Sequence, residues 1–139
     1  MKQVLFDTNV VLDTLLKRTP WEADAAACWQ ACEDGKIKGC LTATTLTDIF
    51  YLARKIKGQD AARDAIRLCL NTFAIGIVDR QALELAIDLP GSDFEDNLQI
   101  SCATLAKLDL ILTRDKNGFK DATILILSPD EFVTQLSQI

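Results

Sequence analysis

Short apolar runs rich in β-favouring residues alternate with helix-length amphipathic segments along this chain, and that alternation restricts the fold more than any other feature. Val4-Leu5-Phe6, Lys38–Leu41, Phe73–Val78, Leu110–Leu112 and Thr123–Leu127 read as strands. Helices are predicted from Thr8 to about Lys17, from Trp21 to Asp34, from a cap at Thr44 or Thr45 to Ile56, and from Asp60 to Asn71. Further helices are predicted from Asp79 to Leu89, from a cap at Ser92 or Asp93 to about Leu108, and from Pro129 onward. Parallel strands need crossover connections, and helices must then cover both faces of the sheet. The expected architecture is α/β: a three-layer α/β/α sandwich with a mostly parallel central sheet. A chain of 139 residues suits one domain with a sizeable core, spanning 1–139.

Composition narrows the chemistry. Hydrophobic residues make up 49% and charged residues 25%, with no low-complexity stretch, as in a compact folded chain. No run of about 18 apolar residues is present, so no membrane span is expected, and a start that leads straight into a strand reads as cytoplasmic. The five cysteines are an odd number scattered through apolar segments, which fits buried thiols. Histidine is absent. That excludes Ser-His-Asp and Cys-His nucleophilic sites and His-ligated zinc, and leaves carboxylates as acid, base and metal-binding groups. A net charge of −5 disfavours bulk electrostatic binding of nucleic acid, so such a substrate would need a metal ion or a local basic patch.

Carboxylates recur at one topological address. Asp7 and Asp115 follow strands at once, and Asp48 and Asp96 read as lying in the first turns of helices, so all four are expected to meet at one edge of the sheet. Asp48 also completes a Thr45-x-x-Asp48 capping pattern, and Asp93, Glu95 and Asp96 suit the positive end of a helix. Carboxylates brought within a few ångströms repel one another unless protons or a cation compensate. Oxygen ligands without sulfur or imidazole suit Mg²⁺ or Mn²⁺, and such a site carries out phosphoryl-transfer hydrolysis. Arg114, Lys116 and Lys120 lie beside the expected site and could contact phosphates.

Asp7-Thr8-Asn9-Val10 after a strand, Asp48 early in the third helix, Asp93-Phe94-Glu95-Asp96 before a small-residue-rich helix, and Thr113-Arg114-Asp115 after a strand resemble, in order and spacing, the four motifs of PIN-domain ribonucleases. The resemblance covers essentially the whole chain. It implies a metal-dependent endoribonuclease of the kind found as the toxin of a VapBC-type toxin–antitoxin pair. It further implies Asp7 and Asp96 as principal metal ligands, Asp48 as a residue that binds metal or orients water, and Asp115 as completing the cluster. Thr8, Asn9, Asp93 and Thr113 would support these acids. Two positions depart from the family pattern: Asp48 stands where Glu is more usual, and in the fourth motif Asp115 stands at a common Asn position while Gly118 replaces the Asp before Phe119. A site that has lost catalysis and serves as a protein-binding module is the alternative this motivates. A haloacid-dehalogenase-type phosphatase is a weaker one, because position 9 is Asn where a second acid is required. The expected partners are RNA, a small basic-tailed antitoxin attracted by the acidic pocket, and a second copy of the chain, the last two meeting the apolar first helices.

Overall fold

The computed structural model describes residues 1–138. In chain order the elements are β1 (Lys2–Phe6), α1 (Thr8–Leu15), α2 (Glu22–Glu33), β2 (Ile37–Thr42), α3 (Ala43–Lys57), α4 (Gln59–Thr72) and β3 (Ala74–Gly76). There follow α5 (Arg80–Asp88), α6 (Phe94–Leu105), β4 (Leu110–Leu112), a 3₁₀ turn (Lys116–Phe119), β5 (Leu125–Leu127) and α7 (Pro129–Leu136). The five strands form one sheet in the order β3-β2-β1-β4-β5, and every pairing is parallel. The chain builds outward from β1 in one direction through β2 and β3, then crosses back to add β4 and β5 on the other side. The topological switch point therefore lies between β1 and β4, where crossovers leave a crevice beyond the strands' carboxyl ends.

Side-chain alternation along β1 and β4 splits the core into two layers. Val4, Phe6, Leu110 and Leu112 pack with Val10, Val11, Ala25, Cys28, Trp29 and Ile49 on one face. Leu5 and Ile111 turn the other way, onto Ile100, Ala103 and Phe119. The period-2 alternation of β1 and β4 thus requires helices above and below the sheet, which is the predicted sandwich. All five cysteines are free, and burial pushes the thiols of Cys28, Cys32 and Cys69 up to about 12, so they behave as small apolar residues.

Helix starts explain the local differences from the sequence expectation. The cap of α3 is Thr42, whose Oγ1 accepts from the Thr45 amide at 3.3 Å, and not Thr44 or Thr45. Moving the cap back to the end of β2 sets Asp48 in the second turn of α3 rather than the first, and the Thr45-x-x-Asp48 capping pattern does not form. Gly58, at φ 93°, ends α3 and starts α4, a backbone conformation that glycine adopts without penalty. Asp93 caps α6 by accepting from the amide of Asp96 at 3.0 Å. The strand expected over Phe73–Val78 shortens to three residues at the sheet edge, and Ile77 is exposed. Leu105, expected inward on α6, and Ile56, expected inward on α3, are also exposed.

Candidate active site

The crevice at the switch point is a cavity of about 380 Å³ with an acidic lining. Asp7 enters at the end of β1, Asp48 from α3, Asp93, Glu95 and Asp96 from the start of α6, and Asp115 from the loop after β4. Thr8, Asn9 and Gln99 complete its polar wall, and Leu12, Tyr51 and Leu52 its apolar one. All four acids expected to converge from the sequence are thus in one cavity.

Asp7 is the most enclosed of them, at 5% exposure. Its Oδ1 accepts from Gln99 Nε2 at 2.9 Å and its Oδ2 from Thr113 Oγ1 at 2.8 Å. Thr113 Oγ1 also accepts from the Asp115 amide at 3.0 Å, so one hydroxyl joins the β1 and β4 contributions to the site. Burial outweighs these hydrogen bonds and raises the Asp7 carboxyl above its ordinary range. Thr8 acts through its hydroxyl: Thr8 Oγ1 and Thr45 Oγ1 are 3.0 Å apart, and Thr45 Oγ1 lies 3.0 Å from Thr42 Oγ1. This threonine chain ties the start of α1 to the start of α3. Asn9 is exposed at the rim, where its Oδ1 accepts from Arg18 Nη2 at 3.5 Å.

Charge crowding shows in the remaining acids. Asp96 is pushed up to about 7, first by partial burial and then by the charges of Asp7, Asp93 and Asp115. Glu95 rises to about 8, chiefly because it shares a hydrogen bond with Asp48, with burial and the charges of Asp48, Asp93 and Asp7 adding to the effect. Among the described residues no lysine or arginine forms an ion pair with any acid of the cavity.

The 3₁₀ turn closes one side of the cluster. A β-carbon placed on Gly118 would lie 2.4 Å from Asp96 Oδ2 and 3.4 Å from Asp115 Oδ2. Glycine at 118 therefore lets the turn lie directly against the Asp96 carboxylate, while Asp115 supplies the acid from three residues earlier.

The basic residues are placed differently from the acids. Arg114 turns away from the cavity, donating through Nε to Asp13 Oδ2 at 2.9 Å, with its guanidinium carbon 3.8 Å from the ring centre of Trp21. Lys116 is paired with Glu131. Lys120 borders a second, polar cavity of about 390 Å³ that shares Asp93 and also includes Gly118 and Asp121. Two groups were missed by sequence reasoning: Glu95, read there only as a helix-start charge, and Gln99. Their signal was spacing, since Glu95 and Asp96 precede Gln99 by four and three residues on one helix, where side chains share a face.

A model of the PIN domain matches residues 3–117. The chain belongs to the PIN-domain family. No curated protein matches it significantly by sequence. Solved structures share the fold. One is a DNA-bound VapBC from Salmonella typhimurium, at TM-score 0.70 and 17% identity over 93% of this chain and 99% of that one. Another is VapC20 of Mycobacterium tuberculosis, described as a sarcin–ricin-loop-cleaving toxin, at TM-score 0.68 and 13% identity over 84% and 93% of the two chains. A toxin–antitoxin complex from Klebsiella pneumoniae is similar at TM-score 0.66 and 24% identity over 91% and 97%. In this PIN domain, among the described residues, no helix is long and apolar enough to cross a membrane.

The donor set suits a hard divalent cation. Among the described residues no three acidic or thiol side chains already share one coordination point. Mg²⁺ and Mn²⁺ need few protein ligands, because they keep several waters and use one or two carboxylates plus substrate phosphate. An all-oxygen cavity with protonation raised at Asp7, Glu95 and Asp96 is one in which a cation can replace protons.

Proposed function

We propose that this PIN domain is an Mg²⁺- or Mn²⁺-dependent endoribonuclease that hydrolyses RNA phosphodiester bonds as the toxin of a toxin–antitoxin pair. The observation that carries the reading is the convergence of Asp7, Asp48, Glu95, Asp96 and Asp115 in one cavity at the switch point, with no ion-pair partner among the described residues. Asp7, Asp96 and Asp115 would hold the ion, which supplies Lewis-acid stabilisation and a more acidic water. Glu95, which shares a hydrogen bond with Asp48 and is pushed up to about 8, would exchange a proton with a water or leaving oxygen. Thr113 fixes the second oxygen of Asp7 and the backbone of Asp115, and Asp93 fixes the first turn of α6, so the acids are oriented by hydrogen bonds rather than by chance packing. Lys120, at the mouth of the neighbouring polar cavity, is the basic residue best placed for an RNA phosphate.

Retention of Asp115 in the cavity supports catalysis over a purely protein-binding module. The antitoxin reading draws support from the toxin–antitoxin assemblies that share the fold, and from an apolar groove of about 260 Å³ between α1, α3 and α4 lined by Leu15, Leu16, Ala53 and Leu68. The test incubates end-labelled RNA with the wild type and Asp96→Asn in Mn²⁺, Mg²⁺ and EDTA. Metal-dependent cleavage that disappears in the variant is expected. Absence of cleavage by the wild type under every divalent ion would contradict the proposal. Co-purification with the product of a neighbouring reading frame tests the partner.

A further inference from the structure

Gln99 sits one turn beyond Asp96 on α6, in the wall of the acidic cavity and 1% exposed. Its Nε2 donates to Asp7 Oδ1 at 2.9 Å, while its Oε1 has no partner among the described residues. The amide orientation is fixed by chemistry: exchanging its two ends would set a carbonyl oxygen against a carboxylate oxygen. Leu98 and Ile100 flank it as ordinary core residues, so packing alone would be served by leucine or methionine at 99. A buried amide oxygen without a donor is costly, so what keeps an amide at this position is its N–H on Asp7 and not its carbonyl.

We infer that Gln99 is a positioning residue of the carboxylate site: its amide N–H sets the orientation of Asp7 Oδ1 toward a divalent ion. The inference rests on the divalent-ion reading above. Gln99 from α6 and Thr113 from the end of β4 hold the Asp7 carboxylate from two sides, each using one of its oxygens. Each oxygen keeps a further lone pair for a cation. Such outer partners orient the groups that bind a metal and are felt in its affinity.

The test titrates Mn²⁺ calorimetrically into the full-length wild type, Gln99→Met and Gln99→Leu, and records thermal unfolding of each without metal. Both variants are expected to fold cooperatively with at most a modest loss of stability from the unpaired Asp7 Oδ1, to bind Mn²⁺ about ten- to a hundredfold more weakly, and to need correspondingly more Mn²⁺ for half-maximal RNA cleavage. Variants that fold and bind Mn²⁺ as tightly as the wild type would overturn the role of Gln99 and leave the ion reading intact. Failure of both variants to fold cooperatively without metal would make Gln99 a structural residue and overturn the inference. Failure of the wild type itself to bind Mn²⁺ would overturn the ion reading, and the inference with it.

Discussion

Asp7 and Asp13 lie six residues apart at opposite ends of α1, both buried, and the protein treats them in opposite ways. Asp13 is fully enclosed and meets two arginines, Arg18 at 3.2 Å and Arg114 at 2.9 Å, whose side chains are 33% and 25% exposed. Among the described residues Asp7 meets neutral donors, Gln99, Thr113 and the Thr8 amide, and faces further acids. A buried carboxylate with arginines is compensated by the chain itself and works as a clamp between α1 and the loop after β4. A buried carboxylate given hydrogen bonds but no cation is compensated only by protons or by an ion from outside. The same residue type on one short helix thus marks, by its partners, which end holds the fold and which end holds the site.

The largest effect should come from breaking the clamp. Arg18→Met combined with Arg114→Met leaves Asp13 buried and unpaired, and urea unfolding should show a loss of about 3 to 5 kcal/mol. Each single variant should lose clearly less, because the other arginine remains. At the other end, Gly118→Ala places a methyl group against Asp96 Oδ2 and should weaken Mn²⁺ binding about tenfold, with apo stability within about 0.5 kcal/mol of wild type. If Mn²⁺ affinity is untouched, the turn does not set the position of Asp96. Asp93→Ala removes the α6 cap and should cost about 1 kcal/mol of stability by chemical denaturation.

The smallest expected effect concerns pH. In the folded protein the carboxyls of Asp96 and Glu95 hold their protons up to about 7 and about 8, well above the range they have in an unfolded chain. The folded state therefore binds more protons between about pH 4 and pH 8, and metal-free stability must fall as pH rises through that window. The contribution is fully present below the unfolded values and gone above the folded ones. Asp96→Asn should flatten the slope and gain about 1 kcal/mol at pH 8, a figure reduced for the solvent that screens this half-exposed group. A stability profile that rises over the same window would contradict the crowding described here.

What the sequence made legible follows from the range of the interactions. Asp7, Asp96 and Asp115 could be placed because the end of a strand and the start of a helix are local events, each signalled within a few residues. The cap of α3 was misplaced because Thr42, Thr44 and Thr45 all suit the position, and only the length of β2 chooses between them. Arg114 read as a phosphate contact because it stands beside Asp115; its partner Asp13 is 101 residues away in the chain and visible only once β1 and β4 are paired. Gln99 went unread for the same reason, since nothing near it in sequence announces a hydrogen bond to Asp7, 92 residues distant.

The proposed cation site requires that an ion entering among the acids around Asp7 displace the protons they hold. Calorimetric titration of Mn²⁺ at pH 7, repeated in buffers of different ionisation enthalpy, tests it directly. Saturable binding with release of protons, shrinking toward pH 9 and lost together in Asp96→Asn, is the expected result. No binding, or binding whose heat is the same in every buffer, would contradict it.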